Sequence, residues 1–530
     1  MNDGNDHGAG GDRGELVTAA HRLIEDALRV FADSPEACAS LRAAAARLDE
    51  PLRVAIAGMV KAGKSTLLNA IIGDEIAPTD AGECTRVVTW YRYGRTPRIT
   101  LHTTAGTSRE LPVTRIDGRL EVRLADVAAA EVDRLEVEWP TSGLRHLTLI
   151  DTPGIASLSA DVSARSTDAL IPDNGASVAD AMIYLLRHPR ETDVEFLEAF
   201  RASTEGASGT VCAIAVLSRA DEIGAGRIDA MLSAQDIAAR YRSQGALQDL
   251  ALDLIPIAGL LAQSARTLRE SEFEALVELA GLERADRDRM LLSADRFVRP
   301  TPGITVSPAR RAALLDRFGV FGVRVAASLL RGAAGTSSTA LAAALRGQSG
   351  LDSLLDAVER LMRARTDLLK ARGALTVVER VLRDDARRGG SVRREGVERL
   401  SAALECMLAN AHGLDELRLV ARLRGVGTGL GRLLEREAER LVGAFGDTPR
   451  ERLGLPADAP VTEAIARARR LAGAWRSRAR DPRLASEAAR ACAVVTRSAE
   501  AQVALLAADG TRSRARLALL SEPVAGVGQE

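Results

Sequence analysis

The run Leu52-Arg-Val-Ala-Ile-Ala-Gly58-Met-Val-Lys61-Ala-Gly63-Lys64-Ser65 decides the fold of this chain. Six residues, Leu52–Ala57, are mostly apolar and read as a strand. A glycine, four free positions and Gly-Lys-Ser follow, and Ser65 to Ile72 then continues at helical spacing. Strand, glycine-rich turn and helix in that order form a phosphate loop. The glycines let backbone N–H groups wrap phosphate oxygens, and the helix N-terminus adds positive potential. Gly58, Lys61, Ala62, Gly63, Lys64, Ser65 and Thr66 are the residues expected around the phosphates. Lys64 is expected to bridge the β- and γ-phosphates as a compact charge, and Ser65 to offer its hydroxyl to Mg²⁺.

Composition agrees with a large globular chain. It has 530 residues, 46% apolar and 27% charged, with a formal charge of −1. That length exceeds one core. Near-neutrality removes a bulk electrostatic case for nucleic acid or anionic membrane, so no nucleic-acid partner is expected. Aromatic residues make up only 3%, which counts against an all-β fold and against base-stacking platforms. The five cysteines show no Cys-x-x-Cys pair, which fits a reduced, cytoplasmic chain without structural zinc. No run of apolar residues is long enough to predict a transmembrane helix. Among 71 basic residues only Lys61, Lys64 and Lys370 are lysine.

Outward from the phosphate loop, β-prone runs alternate with helical ones: Val87–Tyr93, Arg134–Trp139, Leu147–Ile150, Ala181–Leu186, Thr210–Leu217 and Asp253–Ile257. The alternation predicts an α/β domain with a mostly parallel sheet over residues 51–298. Residues 15–50 read as two helices split at Ser34-Pro35 and packing with a later bundle. A Pro/Gly-rich linker is expected at 299–308, then an all-α helical bundle or stalk over 309–520, where proline is absent from Ala309 to Thr448. Residues 1–14 and 521–530 are expected to be disordered.

Two further motifs narrow the chemistry. Asp151-Thr-Pro-Gly154 ends an apolar run and has the form of a GTPase switch II, with Asp151 reaching Mg²⁺ through water and the Gly154 N–H meeting the γ-phosphate. Ser218-Arg219-Ala-Asp221 follows the next strand but one. A carboxylate at Asp221 can accept from N1–H and the exocyclic amine of guanine together, a pair adenine does not offer. Arg219 stands where GTPases usually carry lysine, and its guanidinium plane can stack on a purine. Ser218 stands where Asn or Thr is usual. Ala258, after the strand ending Pro256-Ile, is where a backbone N–H usually meets guanine O6.

Between these lies Pro78-Thr-Asp-Ala-Gly82-Glu-Cys-Thr85-Arg86. With the helix Leu67–Gly73 it resembles the dynamin superfamily. Arg317-Phe-Gly-Val-Phe-Gly-Val-Arg324 and Arg365-Thr-Asp-Leu-Leu-Lys370 resemble bacterial dynamin-like proteins of the actinobacterial isoniazid-induced type. The resemblance implies a P-loop GTPase domain on a helical stalk, with Mg²⁺-dependent hydrolysis of GTP to GDP. It also implies self-association through G domains, a paralogous dynamin-like partner chain, and action on lipid at the inner face of the plasma membrane. Thr85 would close on Mg²⁺ and the γ-phosphate, making Lys61, Lys64 and Thr85 the catalytic set and Ser65, Thr85 and Asp151 the metal set. Dynamins hold a monovalent cation near the position of Lys61, so its ammonium is expected to supply that charge. The glycine-broken stretch Gly425 to Gly431 is the expected lipid-contacting stalk-tip loop. A GTP-switched scaffold with slow turnover and no lipid contact is the alternative.

Overall fold

The computed structural model describes residues 10–78, 87–116, 118–124, 127–153, 170–171, 177–205, 212–245, 247, 250–332, 335, 337–388 and 393–520. Among these residues, strand β1 (Leu52–Gly58) lies centrally in a nine-stranded sheet. Beside it run β8 (Leu147–Asp151) and β9 (Ala181–Leu186), then β10 (Ala213–Ser218) and β11 (Leu254–Ile257), all parallel. These strands are buried on both faces, which is why they read as unbroken apolar runs and not as alternations. On the other flank β2 (Thr89–Tyr93) pairs antiparallel with β8 and parallel with β7 (Val132–Trp139). Strands β3 (Arg98–Thr103) and β4 (Ser108–Leu111) extend the sheet antiparallel, and β5 (Thr114–Ile116) with β6 (Arg119–Glu121) forms a separate hairpin. The mostly parallel sheet is present, with an antiparallel flank that the sequence reading did not contain.

Alternate side chains of the sheet feed two cores. One face of β1 and its neighbours (Val54, Ile56, Ile183, Val216) packs against α3 (Lys64–Ile72). The opposite face (Ala55, Ala57, Met182, Leu217) packs against α4 (Glu191–Glu205), α5 (Ala230–Ser243) and α6 (Gly259–Arg266). The same second core takes in α7 (Glu270–Ala280), α8 (Arg284–Met290), α9 (Ala294–Val298), α10 (Pro308–Arg331) and α11 (Ser338–Gln348). The stretch expected as a linker therefore joins two helices of one core: Phe297, Val306 and Phe318 are all buried in it.

The first core continues through α12 (Leu351–Leu361) into α15 (His412–Arg424), α16 (Arg432–Leu441), α17 (Pro449–Leu453), α18 (Val461–Ala479) and α19 (Ser486–Leu520). A third core joins α1 (Gly10–Val30) and α2 (Pro35–Asp49) to α13 (Thr366–Arg387) and α14 (Arg394–Asn410). Helix α1 begins at Gly10, inside the leader expected to lack structure. Ser34 caps α2 through its hydroxyl and Pro35 opens it, as the split at this dipeptide requires. Asp180 ties this assembly to the sheet. Its carboxylate accepts from Arg47 at 2.5 Å and from the Arg53 N–H at 2.9 Å, and its carbonyl accepts from Arg372 at 2.9 Å. Lys370 donates to the Glu50 carbonyl at 3.0 Å, which gives the third lysine a place.

Within α19 the stretch Ser486–Ala508 is long and apolar enough to span a membrane by length and composition. Cys492, Val495, Ala499 and Leu506 are buried against the other helices of the first core, the pattern of a core helix. Gly425 to Gly431 does not form a stalk tip. Arg424, at its root, pairs with Asp253 at 2.6 Å beside β11, Thr428 is held by Glu435, and Leu430 is partly buried on the first core. Only Val426 of its two apolar residues points outward.

Glu416 of α15 is buried among helices and accepts from Arg452 and Ser498, each at 2.8 Å. Burial raises its carboxyl, but Arg452 foremost outweighs this and holds it below the usual range. Replacing Glu416 by Ala leaves the buried Arg452 with Asp447 as its remaining carboxylate partner. A loss of about 3–5 kcal/mol is expected in urea unfolding, and a loss under about 1 kcal/mol would show that this pair does not hold the helices together.

Candidate functional site

Strand β1 leaves the sheet at Gly58 with φ 145°. A Cβ there would sit 2.3 Å from the Leu185 carbonyl oxygen on β9, so the position accepts glycine alone. The chain then turns through Lys61 (φ 62°) and Gly63 (φ 95°) and starts α3 at Lys64. The first N–H groups of α3 have no partner within the helix and face the loop. Lys64 is largely desolvated, which lowers its pKa, and its ammonium donates to the carbonyls of Gly58 (3.1 Å) and Met59 (3.2 Å). Those are weak partners for a buried ammonium, and phosphate oxygens are better ones. Lys61 is exposed.

Asp151 ends β8 directly beside Ile56 of β1. Its Oδ2 accepts from Ser65 Oγ at 3.3 Å, while its buried Oδ1 has no hydrogen-bond partner among the described residues. Burial raises this carboxyl to about 6. One hydroxyl, one orphaned carboxylate oxygen and no His/Cys/Asp/Glu cluster of three among the described residues suit Mg²⁺, which takes few protein ligands and completes its shell with water and phosphate. Gly154 and Thr85 lie outside the described residues.

Next to the loop is a cavity of about 130 Å³ lined by Gly63, Thr66, Ser218, Arg219, Asp221 and Leu260 among others. Asp221 is 8% exposed, and burial raises its carboxyl to about 6, Arg219 opposing the rise only weakly. Arg219 adopts φ 53° and donates to the Lys61 carbonyl at 3.0 Å and to Glu222 at 2.7 Å. It thereby links the turn after β10 to the phosphate loop. Ser218 is buried and donates to the Leu186 carbonyl at 3.1 Å, a structural tie between neighbouring strands. Ala258 departs from expectation. Its N–H donates to the Ser349 carbonyl at 2.9 Å and is not free for a base. The cavity is lined from this side by Ile257, at the end of β11, and by Gly259 and Leu260, at the start of α6. A glycine opening a helix one residue further on was the available signal.

A larger cleft, about 820 Å³, lies elsewhere, between α2 and α13 near the N-terminal ends of β1 and β9. Its charged rim is internally paired, Arg47 with Asp180, Arg388 with Glu36 and Arg393 with Asp385. Phosphate-binding chemistry belongs to the smaller site at the strands' C-terminal ends.

The geometry is that of a nucleotide-binding P-loop domain, and residues 54–197 match the dynamin family. The chain belongs to the dynamin family and is a GTP-hydrolysing enzyme that uses Mg²⁺. It is 43% identical over 461 residues to the isoniazid-induced protein IniC of Mycobacterium tuberculosis, covering 87% of this chain and 91% of that one. It is 35% identical over 155 residues to the isoniazid-induced protein IniA of the same organism, covering 28% of this chain and 23% of that one. A solved oligomerised bacterial dynamin pair overlaps at 15% identity with a TM-score of 0.30, covering 77% of this chain and 67% of that one. That overlap is loose, and the assignment rests on the sequence relatives.

Gly58→Ala is expected to abolish detectable binding of a fluorescent GTP analogue. The added methyl group must displace either the loop or β9. Binding within about twofold of wild type would show that the loop has slack that these distances do not contain.

Proposed function

We propose that Lys64, Ser65 and Asp151 hold the Mg²⁺–triphosphate end of GTP and that Asp221 reads guanine, with Arg219 against the base. The observation that carries this reading is the convergence of the phosphate loop, Asp151 and the Asp221 cavity on one end of the sheet. Lys64 exchanges two carbonyl partners for phosphate oxygens. Asp151 offers its unpartnered oxygen to the water shell of the metal, and Ser65 its hydroxyl. Mg²⁺, when bound, neutralises charge on the β- and γ-phosphates. Gly259 or Leu260, at the start of α6, supplies the N–H for O6 in place of Ala258. Thr85 and Gly154 complete the γ-phosphate site. Lys61, free to swing over the phosphates from its exposed position, supplies the charge for which other dynamins use a monovalent cation.

The GTP cycle, on this reading, drives association through G domains, with itself or with a paralogous dynamin-like chain, and acts on membrane at the inner face of the plasma membrane. Family membership supports it. Lipid contact falls to Val426 (53% exposed) and Leu433 (88% exposed), with Arg432 beside them. The half-buried Leu430 is left out.

Turnover of GTP by the full chain, with and without anionic liposomes and in buffers with and without potassium, tests these assignments together. Faster turnover on liposomes, co-flotation, and potassium dependence only in Lys61→Ser are expected. Slow turnover that liposomes do not change, without flotation, would instead mark a GTP-switched scaffold. Potassium dependence in the wild type would remove Lys61 from the mechanism.

Asp221 accepts from guanine only when ionised. With its pKa at about 6, acidification below that value protonates it and weakens binding. GDP affinity is expected to fall roughly tenfold between pH 7 and pH 5. Asp221→Asn is expected to bind weakly at both values and to lose this dependence. A wild-type profile flat to pH 5 would show that Asp221 is not the acceptor.

A further inference from the structure

Helix α10 is not straight. At Gly319 the backbone takes φ 63° and ψ 174°, outside helical values, while helix continues on both sides. A Cβ on Gly319 would lie 3.8 Å from Asp221 Oδ2 and 3.8 Å from Leu260 Cδ1. Those are two residues that line the base cavity, one in the turn after β10 and one at the start of α6. The kink therefore runs along the outer wall of the cavity, where a side chain at this position would reach contact distance of both residues.

Both sides of the kink are fastened. On the N-terminal side Arg317 is 7% exposed and donates to Glu272 at 2.8 Å, to the Thr267 carbonyl at 2.8 Å and to Glu75. Glu75 is itself buried, two residues beyond the end of α3 at Gly73, and Arg317 foremost holds its carboxyl below the usual range against the upward push of burial. On the C-terminal side Arg324 donates to the carbonyls of Ala225 (3.2 Å) and Gly226, in the turn that follows Asp221, and to Leu291. A Cβ on Gly226 would come 3.4 Å from the Phe321 nitrogen, so this turn and α10 touch backbone to backbone. An independent grip comes from the turn between α11 and α12. Ser349 takes the Ala258 N–H, and Gly350, with φ 81°, has room for no Cβ because the Pro256 carbonyl would lie 2.3 Å away.

We propose that helix α10 is a positioning element for guanine recognition, in which the Gly319 kink sets the place of Asp221 and Leu260 while Arg317 and Arg324 lock that kink to Glu75 and to the turn after Asp221. This rests on the reading of Asp221 as the guanine acceptor. Both segments that would meet the base, the turn after β10 and the start of α6, are braced by residues within 317–350 of the chain, outside the region the dynamin family match covers. A rigid-body shift of α10 would pull on the turn after Asp221 through Arg324. The discrimination of bases is thus set partly by a helix that touches no phosphate, and a displacement of α10 reaches the nucleotide through its base.

The test measures competition of GTP, ITP and ATP against a fluorescent GDP on the full chain. ITP lacks only the exocyclic amine, one of the two donors that Asp221 would accept from, so the GTP-to-ITP ratio reports how well that carboxylate is placed. Gly319→Ala adds a side chain at a left-handed backbone position against Asp221, and Arg324→Gln cuts the tie to Gly226 without touching the kink. Both are expected to lower the GTP-to-ITP ratio at least about fivefold, and Arg324→Lys to restore part of it. A role in stability alone would lower the melting temperature and leave the ratio unchanged. Ratios within about twofold of wild type in folded Gly319→Ala and Arg324→Gln overturn the proposal. Should Gly319→Ala fail to fold, Arg324→Gln decides. A wild-type chain that does not prefer GTP over ITP and ATP would instead overturn the reading of the base cavity, a failure separate from this one.

Discussion

The nucleotide end of the molecule depends on a missing carbon. Parallel neighbours in a sheet lie about 4.8 Å apart, and β1 must leave that lattice at Gly58 against the Leu185 carbonyl of β9. Only a residue without a side chain can turn there. From that exit follow the left-handed Lys61 and Gly63, the start of α3, and the inward course of Lys64. The helix so placed carries Asn69, whose amide oxygen accepts from the N–H groups of Ile76 (3.0 Å) and Ala77 (2.7 Å). The chain leaving α3 is thus set by the same turn.

Four buried carboxylates divide into two kinds. Glu75 and Glu416 have arginine partners and lie below the usual range. Their stability is present above the unfolded carboxylate value of about 4.3 and is lost as pH falls through their folded values. Asp151 and Asp221 are raised to about 6 by burial that nearby cations do not offset. Here the sign reverses: between the unfolded value near 3.9 and the folded one, stability falls as pH rises. The protein keeps these two desolvated at a cost. The first pair is neutralised by arginine partners, and on the proposed reading of the site a metal and a base with paired donors relieve the second.

The phosphate loop, Asp151 and Asp221 were legible in the sequence because each follows an apolar strand and uses residue types that local chemistry dictates. The two N-terminal helices were legible from Ser34-Pro35. What was not legible depends on contacts distant in sequence. Strands β4 to β6 are short, at four, three and three residues, and the exposed residues of β4 and β5 give no apolar alternation. The 299–308 stretch has the composition of a linker, yet Val306 is buried in the second core. The Ala258 N–H was assigned to a base by analogy of position, but Ser349 lies 91 residues later and nothing local announces it. The glycines of Gly425 to Gly431 marked a break in helix correctly and its location wrongly, because Arg424 finds Asp253 across the fold.

The near-replacement of lysine by arginine has a chemical corollary. Guanidinium groups stay protonated and are poor nucleophiles, so reagents or enzymes that acylate amines find few side chains here. Of the three lysines, Lys370 is engaged with the Glu50 carbonyl, Lys64 is desolvated against Gly58 and Met59, and Lys61 stands exposed on the phosphate loop. Acylation of side-chain amines in this protein is therefore directed to Lys61, and the charge it removes is taken from the exposed turn of the phosphate loop.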